Sequence, residues 1–360
     1  MADVGGSSLP RPPRLGEAAP DFITRSTVNP RFVFNTVGGR YIALAFFGTE
    51  RPEENAAAMD AVQAAGGLFN GVHAAPLAVV GHEAQAASAG KVTALFDEDG
   101  AIARAWGVDP AKGGWRLLDP SLRLIGTAPL SAGDSIVETL SQAAPPGSHA
   151  GIEGWAPVLL VPRVFEPELC QALIAEYQRR GGDKSGFMRE VDGKTVLRHD
   201  PSHKRRRDVD LTDQPLMNAT RFRVLNRLVP ELKRAFAFEA TRMERYLVAR
   251  YGAEEQGFFR AHRDNTTPGT AHRRFAVTLN LNANDYEGGE LRFPEYAQRT
   301  YKPPTGAAVV FSCSMLHEAT PVTKGERYAF LPFLYDDAAA RLREENAHRV
   351  EGSGSNYRAG

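Results

Sequence analysis

The chain has 360 residues, of which 43 are Lys or Arg and 43 are Asp or Glu, so its formal net charge is zero. This balance excludes the strong electrostatic field with which proteins attract nucleic acid or an anionic membrane. Its two cysteines cannot form a disulfide framework, and no apolar stretch reaches the length of a membrane span. We therefore expect a cytoplasmic protein, long enough for two domains that each bury a core.

The first half of the chain alternates apolar strands with helices. Residues 1–18 are rich in Pro, Gly and Ser, which predicts a flexible N-terminal segment. Residues 19–143 are predicted to form a small α/β layer domain, and residues 144–154 a linker. The predicted strands are 41–48, 76–81, 91–97 and a pair within 114–130, and the longer helices are 52–67 and 101–108.

The second half changes from helices to short strands. Pro167 begins a predicted helix that Gly181 ends, and a second helix covers 214–229 before Pro230. From Arg245 onward, eight short strands with turn signals between them predict a double-stranded β-helix, or jelly roll, with supporting helices. This domain spans residues 155–335, and residues 336–360 are predicted as a charged helix and a tail.

The triplet His262-Arg263-Asp264 allows two interpretations. In a protein kinase the catalytic-loop Asp is followed five residues later by an Asn, but that position is Gly269 here. The other interpretation treats Arg263 as a spacer between two metal ligands. Residues two apart on a strand point to the same face, so His262 and Asp264 would hold one ion together.

A third ligand is available far along the chain at His317, in the segment "SMLHEATPV". Two imidazoles and one carboxylate on one face of an octahedral ion form the facial triad of non-haem Fe(II), which leaves three positions open. A jelly roll can collect such ligands at its open end although they are distant in sequence. We therefore predict a metal site formed by His262, Asp264 and His317.

Arg327 follows ten residues after His317 and is predicted to point into the mouth of the barrel. A buried guanidinium needs an anionic partner, and its planar fork suits a carboxylate. The expected guest is a dicarboxylate that chelates iron at one end and pairs with Arg327 at the other. 2-Oxoglutarate has this shape.

Residues 155–335 resemble the prolyl 4-hydroxylase-like branch of the Fe(II)/2-oxoglutarate dioxygenases, in particular the PKHD-type hydroxylases. The resemblance lies in "VARYG", "YEGGELRF", "GAAVVFSCSMLHEATPVTKGERYAF" and the spacing from His317 to Arg327. It implies Fe(II), 2-oxoglutarate and O2 as cofactor and cosubstrates, with ascorbate as a family expectation. It also implies that Tyr251 donates a hydrogen bond to the cosubstrate, although an ordinary aromatic residue near a strand end is an equal alternative.

The first domain resembles the peroxiredoxin and thioredoxin-like fold in "GEAAPDF", "YIALAFFG" and "LFDEDGAIARAWGV". A peroxiredoxin needs a cysteine thiolate after its first long strand. That segment reads "FFGTERPEEN", and no cysteine precedes Cys170. We expect a redox-inactive domain that retains the fold for another use, such as substrate docking or dimerisation.

Three functions remain open at this point. The leading hypothesis is a hydroxylase of a peptidyl or amino-acid side chain, with protein proline as the first candidate by family analogy. The alternatives are an oxygenase of a small metabolite and a non-catalytic scaffold that uses the degenerate thioredoxin-like domain. The charge run "SHKRRRD" (202–208) is interpreted as a solvated loop or a partner of nearby acids, in preference to a surface that steers an acidic protein substrate.

Overall fold

The computed structural model describes residues 11–351, so the predicted segments before residue 11 and after residue 351 lie outside the described residues. The chain forms two compact units. The first extends to Trp155 and includes the short segment Pro294–Gln298, and the second contains Ala156–Phe293 and the chain from Arg299 onward.

The first unit is built on a five-stranded mixed sheet whose central strand is Tyr41–Phe46. This strand pairs in parallel with one neighbour and antiparallel with the other. In spatial order the strands are Thr93–Phe96, Ala74–Val80, Tyr41–Phe46, Gly114–Leu118 and Leu124–Ala128. The helices are Pro52–Ala64, Glu83–Ser88, Ala101–Ala105 and Gly133–Ser141.

Both faces of this sheet are covered, because alternate residues of its buried central strand enter two different cores. Ala43 and Ala45 pack with residues of helices Pro52–Ala64 and Gly133–Ser141, while Ile42 and Leu44 pack with Ile102 and Trp106. This arrangement confirms the α/β fold predicted from the sequence. Helix Gly133–Ser141 was not predicted.

The second unit is built on two large antiparallel sheets, besides a separate two-stranded hairpin. The larger sheet includes, in spatial order, Arg242–Glu244, Phe333–Tyr335, Phe275–Asn280, Val322–Phe330, Leu247–Gly252, Arg207–Asp210 and Asp183–Lys184, with Leu159–Val161, Ala308–Ser312 and Tyr286–Gly288 as side members. The smaller sheet is formed by Lys204–Arg205, Phe258–His262, His317–Ala319, Leu291–Arg292 and Thr300–Tyr301. The predicted jelly-roll class is confirmed.

Three helices cover one face of the larger sheet. They are Pro167–Arg180, Gln214–Arg223 and Val229–Phe236, with one turn of π-helix at Val224–Leu228 between the second and third. A further helix, Asp337–Glu345, follows strand Phe333–Tyr335. Leu173, Leu228 and Leu232 are fully buried against strand residues such as Val248 and Phe330. Because strand side chains alternate, the neighbours of these strand residues point to the opposite face, where the two sheets meet.

Of the two interpretations of residues 202–208, the solvated loop is wrong, whereas the partner of nearby acids agrees with the ion pairs Arg206–Asp208 and Arg207–Glu255. Lys204–Arg205 is a strand of the smaller sheet and Arg207–Asp210 is a strand of the larger one. Lys204 and Arg206 are buried. A further hairpin, Phe187–Val191 with Lys194–Arg198, was also not predicted.

Within residues 11–351, we find no helix that combines the length and the apolar character needed to cross a membrane.

Candidate metal centre

Two histidines on adjacent strands of the smaller sheet form the base of the site. His262 ends strand Phe258–His262, and His317 begins strand His317–Ala319. The two residues are direct partners in the antiparallel register, with ring centroids 4.3 Å apart. Residues that are 55 positions apart in sequence are therefore adjacent because one sheet pairs them.

Both imidazoles are oriented by a backbone carbonyl. The Nδ1 atom of His262 lies 2.7 Å from the carbonyl oxygen of Arg260, and the Nδ1 atom of His317 lies 3.0 Å from that of Met315. A carbonyl oxygen can only accept, so each Nδ1 carries the proton and donates it. Each Nε2 therefore keeps a free lone pair, which is the form that binds a metal ion.

Asp264 completes the group. Its Oδ1 lies 3.6 Å from Nε2 of His262 and its Oδ2 lies 3.4 Å from Nε2 of His317. One ligand atom from each of the three residues lies within 4.8 Å of the other two. The expectation that Asp264 is on the strand is wrong in detail, because the strand ends at His262 and Asp264 lies in the following turn. A hydrogen bond of 3.0 Å from its backbone N–H to the carbonyl of Cys313 fixes this turn.

Burial and charge set the protonation states that a metal site needs. Burial, together with the charge of His317, lowers the pKa of His262 to about 4, so this imidazole is neutral at pH 7. Burial alone would raise the pKa of Asp264, but its interactions with the imidazoles of His317 and His262 and with Arg273 hold it well below its usual range. Asp264 is therefore ionised, and the set offers the Nε2 atoms of two imidazoles and one carboxylate.

Aromatic rings surround the two histidines. Phe259 stacks on His262 with centroids 3.5 Å apart, and Phe311 and Phe293 lie against His317 at 4.6 and 6.2 Å. This apolar wall restricts the orientation of the rings and keeps bulk water from their far sides. Two imidazoles and one carboxylate with open space between them fit Fe(II) and leave coordination positions for other molecules.

Arg327 lines the same cavity as the three residues. It lies on strand Val322–Phe330, where it pairs with Tyr251, and it is 2 % exposed. Its Nε and Nη1 atoms are buried and make no hydrogen bond to any residue between 11 and 351. A buried guanidinium with two unsatisfied donors fits an anionic guest such as the distal carboxylate of 2-oxoglutarate.

Gly289 leaves room for the stem of this arginine. A Cβ atom at Gly289 would lie 2.6 Å from Cγ2 of Val322 and 3.2 Å from Cδ of Arg327. The residue also has a φ of +62°, which side chains rarely adopt. The motif "YEGGELRF" is therefore tied to the position of Arg327 as well as to the turn itself.

Tyr251 is buried beside two guanidinium groups. The centre of the Arg327 guanidinium lies 5.1 Å from its ring centroid, and Nη1 of Arg206 donates to its hydroxyl oxygen at 3.4 Å. Tyr251 therefore lines the predicted cosubstrate pocket. Its predicted hydrogen bond to the cosubstrate stays a prediction.

Two charged residues of this cavity were not predicted as site residues, namely Arg206 and Arg245. Arg206 belongs to the charge run 202–208, which was interpreted as a solvated loop or a partner of nearby acids. Arg245 precedes the strand that carries Tyr251, and its φ of +64° could not be inferred from sequence. No local signal marks Arg206, because its run of charged residues lacks the β-branched and aromatic residues that are typical of strands.

The sequence of residues 246–335 matches the family model of the 2OG-Fe(II) oxygenase superfamily, a segment that includes all three residues of the candidate centre, Arg327 and Tyr251. A PKHD-type hydroxylase of Cupriavidus metallidurans is 39 % identical over 80 residues, which are 20 % of this chain and 35 % of the relative. A PKHD-type hydroxylase of Shewanella sp. strain MR-7 is 29 % identical over 203 residues, which are 53 % of this chain and 81 % of the relative. The chain thus spans about a third of the first relative's length.

Solved structures resemble each half separately. A prolyl-4-hydroxylase of Pseudomonas putida is 18 % identical, with a TM-score of 0.38, over 50 % of this chain and 92 % of the other. Peroxidoxin BcpB of Mycobacterium tuberculosis is 15 % identical, with a TM-score of 0.33, over 37 % of this chain and 99 % of the other.

Proposed function

We propose that the C-terminal unit, a homologue of the 2OG-Fe(II) oxygenases, is an Fe(II)- and 2-oxoglutarate-dependent hydroxylase. The observation that carries this proposal is the convergence of His262, Asp264 and His317 in one cavity with the buried guanidinium of Arg327, whose Nε and Nη1 atoms have no hydrogen-bond partner among residues 11–351. A structural role would not require three metal-type ligands and an unsatisfied buried cation in the same space. The homologous segment contains all four residues.

Each residue has a separate role in this proposal. Nε2 of His262, Nε2 of His317 and a carboxylate oxygen of Asp264 hold the metal, and the carbonyls of Arg260 and Met315 keep both imidazoles in the correct tautomer. Arg327 holds the distal carboxylate of 2-oxoglutarate through its free Nε and Nη1 donors. Tyr251 supports this arginine and is placed to donate its hydroxyl proton to the same molecule.

The bound metal and 2-oxoglutarate would supply the oxidising power for the reaction. In the overall balance, a C–H bond of the substrate becomes C–OH with one oxygen atom of O2, and 2-oxoglutarate becomes succinate and CO2 with the other. The protein's own contribution is to orient the two substrates and exclude water. Phe259, Phe311 and Phe293 provide the apolar wall for that purpose.

The proposed substrate is a peptidyl or amino-acid side chain, with proline as the first candidate. Support comes from relatives named as hydroxylases and from a structure named as a prolyl-4-hydroxylase. In this proposal a peptide lies across the mouth of the cavity and inserts one side chain. An oxygenase of a small metabolite is the alternative.

Succinate formation in the absence of an added substrate is the direct test. The protein is loaded with Fe(II) under anaerobic conditions, given 2-oxoglutarate, and then exposed to O2 with ascorbate present. We expect slow uncoupled production of succinate that disappears in His262→Ala. The matched control is His199→Ala, because His199 is exposed and outside the cavity. Equal rates in both variants, or no 2-oxoglutarate binding by the wild type, would support a non-catalytic scaffold instead.

The first unit is proposed to dock the substrate or to form a homodimer. Its first long strand is followed by Phe47, Gly48 and Thr49. The backbone N–H of Gly48 donates to Oδ1 of Asn55, and Nδ2 of Asn55 donates to the carbonyl oxygen of Gly48, each at 2.9 Å. A carboxamide therefore occupies the first helical turn, where a thiolate would act in a peroxiredoxin. Sedimentation of the separate residues 19–143 and of the full chain would test the dimer.

A further inference from the structure

Two arginines besides Arg327 lie in the cavity that contains the candidate metal centre. Arg206 and Arg245 line it together with His262, Asp264 and Arg327. The two arginines share one carboxylate, because Nη2 of Arg206 is 2.6 Å from Oδ2 of Asp208 and Nη2 of Arg245 is 3.6 Å from the same atom. The cavity thus contains two cationic side chains, Arg206 and Arg245, that neither bind the proposed metal nor hold the proposed cosubstrate.

The backbone around both arginines is unusual. Arg206 is the single residue between strand Lys204–Arg205 of the smaller sheet and strand Arg207–Asp210 of the larger sheet. Its side chain is 4 % exposed and lies where the chain crosses from one sheet to the other. Arg245 has a φ of +64°, a left-handed conformation that non-glycine residues rarely adopt. Such conformations are concentrated at functional sites, where the surrounding structure maintains them.

Arg206 and Arg245 differ in their hydrogen-bond partners and in their exposure to solvent. Arg206 is satisfied by Asp208, by Ser185 Oγ at 3.2 Å and by the Tyr251 hydroxyl, with only Nε unpaired. Arg245 is 31 % exposed, and its guanidinium lies 5.5 Å from the ring centroid of Phe333, which also lines the cavity. Arg206 is therefore the buried support, and Arg245 is the donor that can reach an incoming molecule.

The charges in the cavity do not balance even when cofactor and cosubstrate are present. A metal dication and a 2-oxoglutarate dianion cancel one another. The guanidiniums of Arg206, Arg245 and Arg327 then face the carboxylates of Asp208 and Asp264, which leaves one positive charge. The neighbouring charges of Arg273 and Glu244 form an ion pair and cancel one another. Burial is the main cause that lowers the pKa of Arg245 to about 10, and the charges of Arg206 and Arg273 act in the same direction against those of Asp208 and Glu244. A single carboxylate on the substrate would neutralise the remaining positive charge.

We propose that Arg245, supported by Arg206 and Asp208, is a subsite for a carboxylate of the substrate. This inference rests on the proposed oxygenase function and narrows its substrate to molecules that present a carboxylate close to the carbon that is hydroxylated. That carboxylate is either an acidic side chain beside the target residue in a peptide or the α-carboxylate of a free amino acid. The shared chemistry is a bidentate guanidinium–carboxylate pair at the cavity mouth.

Binding to the inactive metal form separates recognition from turnover. The protein is loaded with Zn(II), which has no redox chemistry, and saturated with 2-oxoglutarate. Two matched probe pairs are titrated by calorimetry. Acetyl-Glu-Pro-amide against acetyl-Gln-Pro-amide tests the acidic peptide, and L-proline against L-prolinamide tests the free amino acid. We expect the carboxylate member of one pair to bind and its amide to bind at least about 10-fold more weakly.

Arg245→Gln should weaken the preferred probe by about 10- to 100-fold, because a hydrogen-bonded charge pair is lost. Arg245→Lys keeps the charge without the planar fork and should recover part of the affinity. The matched control is Arg242→Gln, an exposed arginine three residues away that pairs with Asp337 outside the cavity. Its probe affinity should equal that of the wild type. Thermal unfolding of each variant checks that the fold is intact.

Two outcomes would overturn the subsite. One is that neither carboxylate probe binds more tightly than its amide, and the other is that Arg245→Gln weakens 2-oxoglutarate itself while sparing the probes. Failure of the proposed function gives a different result, because the Zn(II)-loaded wild type would then not bind 2-oxoglutarate at all. The two failures are therefore distinguishable in the same titration series.

Discussion

Replacing Arg327 with methionine should have opposite effects on stability and on cosubstrate binding. In the ligand-free protein the guanidinium is buried with two donors unsatisfied, so its removal relieves a desolvation cost. Methionine keeps most of the apolar stem, which packs near Gly289 and Tyr251. The distal carboxylate of 2-oxoglutarate, however, loses the guanidinium that is proposed to hold it.

The magnitudes follow from the contacts. Two unsatisfied donors cost about 1–3 kcal/mol each, and the lost guanidinium–Tyr251 contact returns about 0.5–2 kcal/mol. Taken at the middle of each range, the net change is a stabilisation of about 3 kcal/mol, which raises the Tm of a unit of this size by about 6–12 °C. Removing one partner of a desolvated charge pair costs about 2–5 kcal/mol, so the Kd for 2-oxoglutarate should rise by at least about 30-fold.

Calorimetric titration of the Zn(II)-loaded protein and differential scanning calorimetry measure the two effects. Arg250→Met is the matched control, because Arg250 is adjacent on the paired strand but points to the other face. There it bonds to Glu254 and Glu326, so its loss should lower the Tm slightly and leave 2-oxoglutarate binding unchanged. If Arg327→Met lowered the Tm as Arg250→Met does, or left the Kd unchanged, the reasoning about an unpaired buried cation would be refuted.

Three further results are expected. Asp264→Ala should reduce Co(II) affinity by about 100-fold or more, measured by absorbance titration, and retained affinity would contradict the ligand assignment. Glu244→Gln should lower the free energy of unfolding at pH 7 by about 3–5 kcal/mol. Burial would raise the pKa of Glu244, but its cationic neighbours hold it well below its usual 4.5, so its stabilisation is lost as the pH falls below that value. Urea titrations at pH 7 and at acid pH should show that the free energy of unfolding falls less on acidification in the variant than in the wild type. Burial raises the pKa of Cys170 to about 11 and also raises that of Cys313, so iodoacetamide should label neither thiol at pH 8 before unfolding.

The sequence was sufficient for the parts of the site that depend on strand alternation. Arg327 and Tyr328 are neighbours in sequence, and one enters the cavity while the other enters the helix-covered core. The period-2 pattern of "ERYAF" contains this information. The convergence of His262 with His317 was also predictable, because a jelly roll brings strands that are distant in sequence into one sheet.

The burial of Arg206 and the backbone conformation of Arg245 depend on tertiary contacts that no local sequence pattern encodes. The chain crosses from the smaller to the larger sheet at Arg206, and four charged residues around that point reduce every local strand signal. Arg206 is buried because Asp208, Ser185 and Tyr251 satisfy it, and these partners come from different strands and connections. The left-handed backbone of Arg245 is imposed by its surroundings in the same way.

The residues that bind the metal and the cosubstrate could therefore be predicted from the sequence, whereas those proposed to contact the substrate could not. Ligands of a common metal and of a common cosubstrate recur at fixed spacing, so His262, Asp264, His317 and Arg327 form a recognisable pattern. A substrate is particular to each protein, and the groups that contact it come from crossings and loops whose geometry varies. If Arg245 selects a carboxylate, then transferring only the four common residues to a related jelly roll should reproduce 2-oxoglutarate turnover without the preference for an anionic substrate.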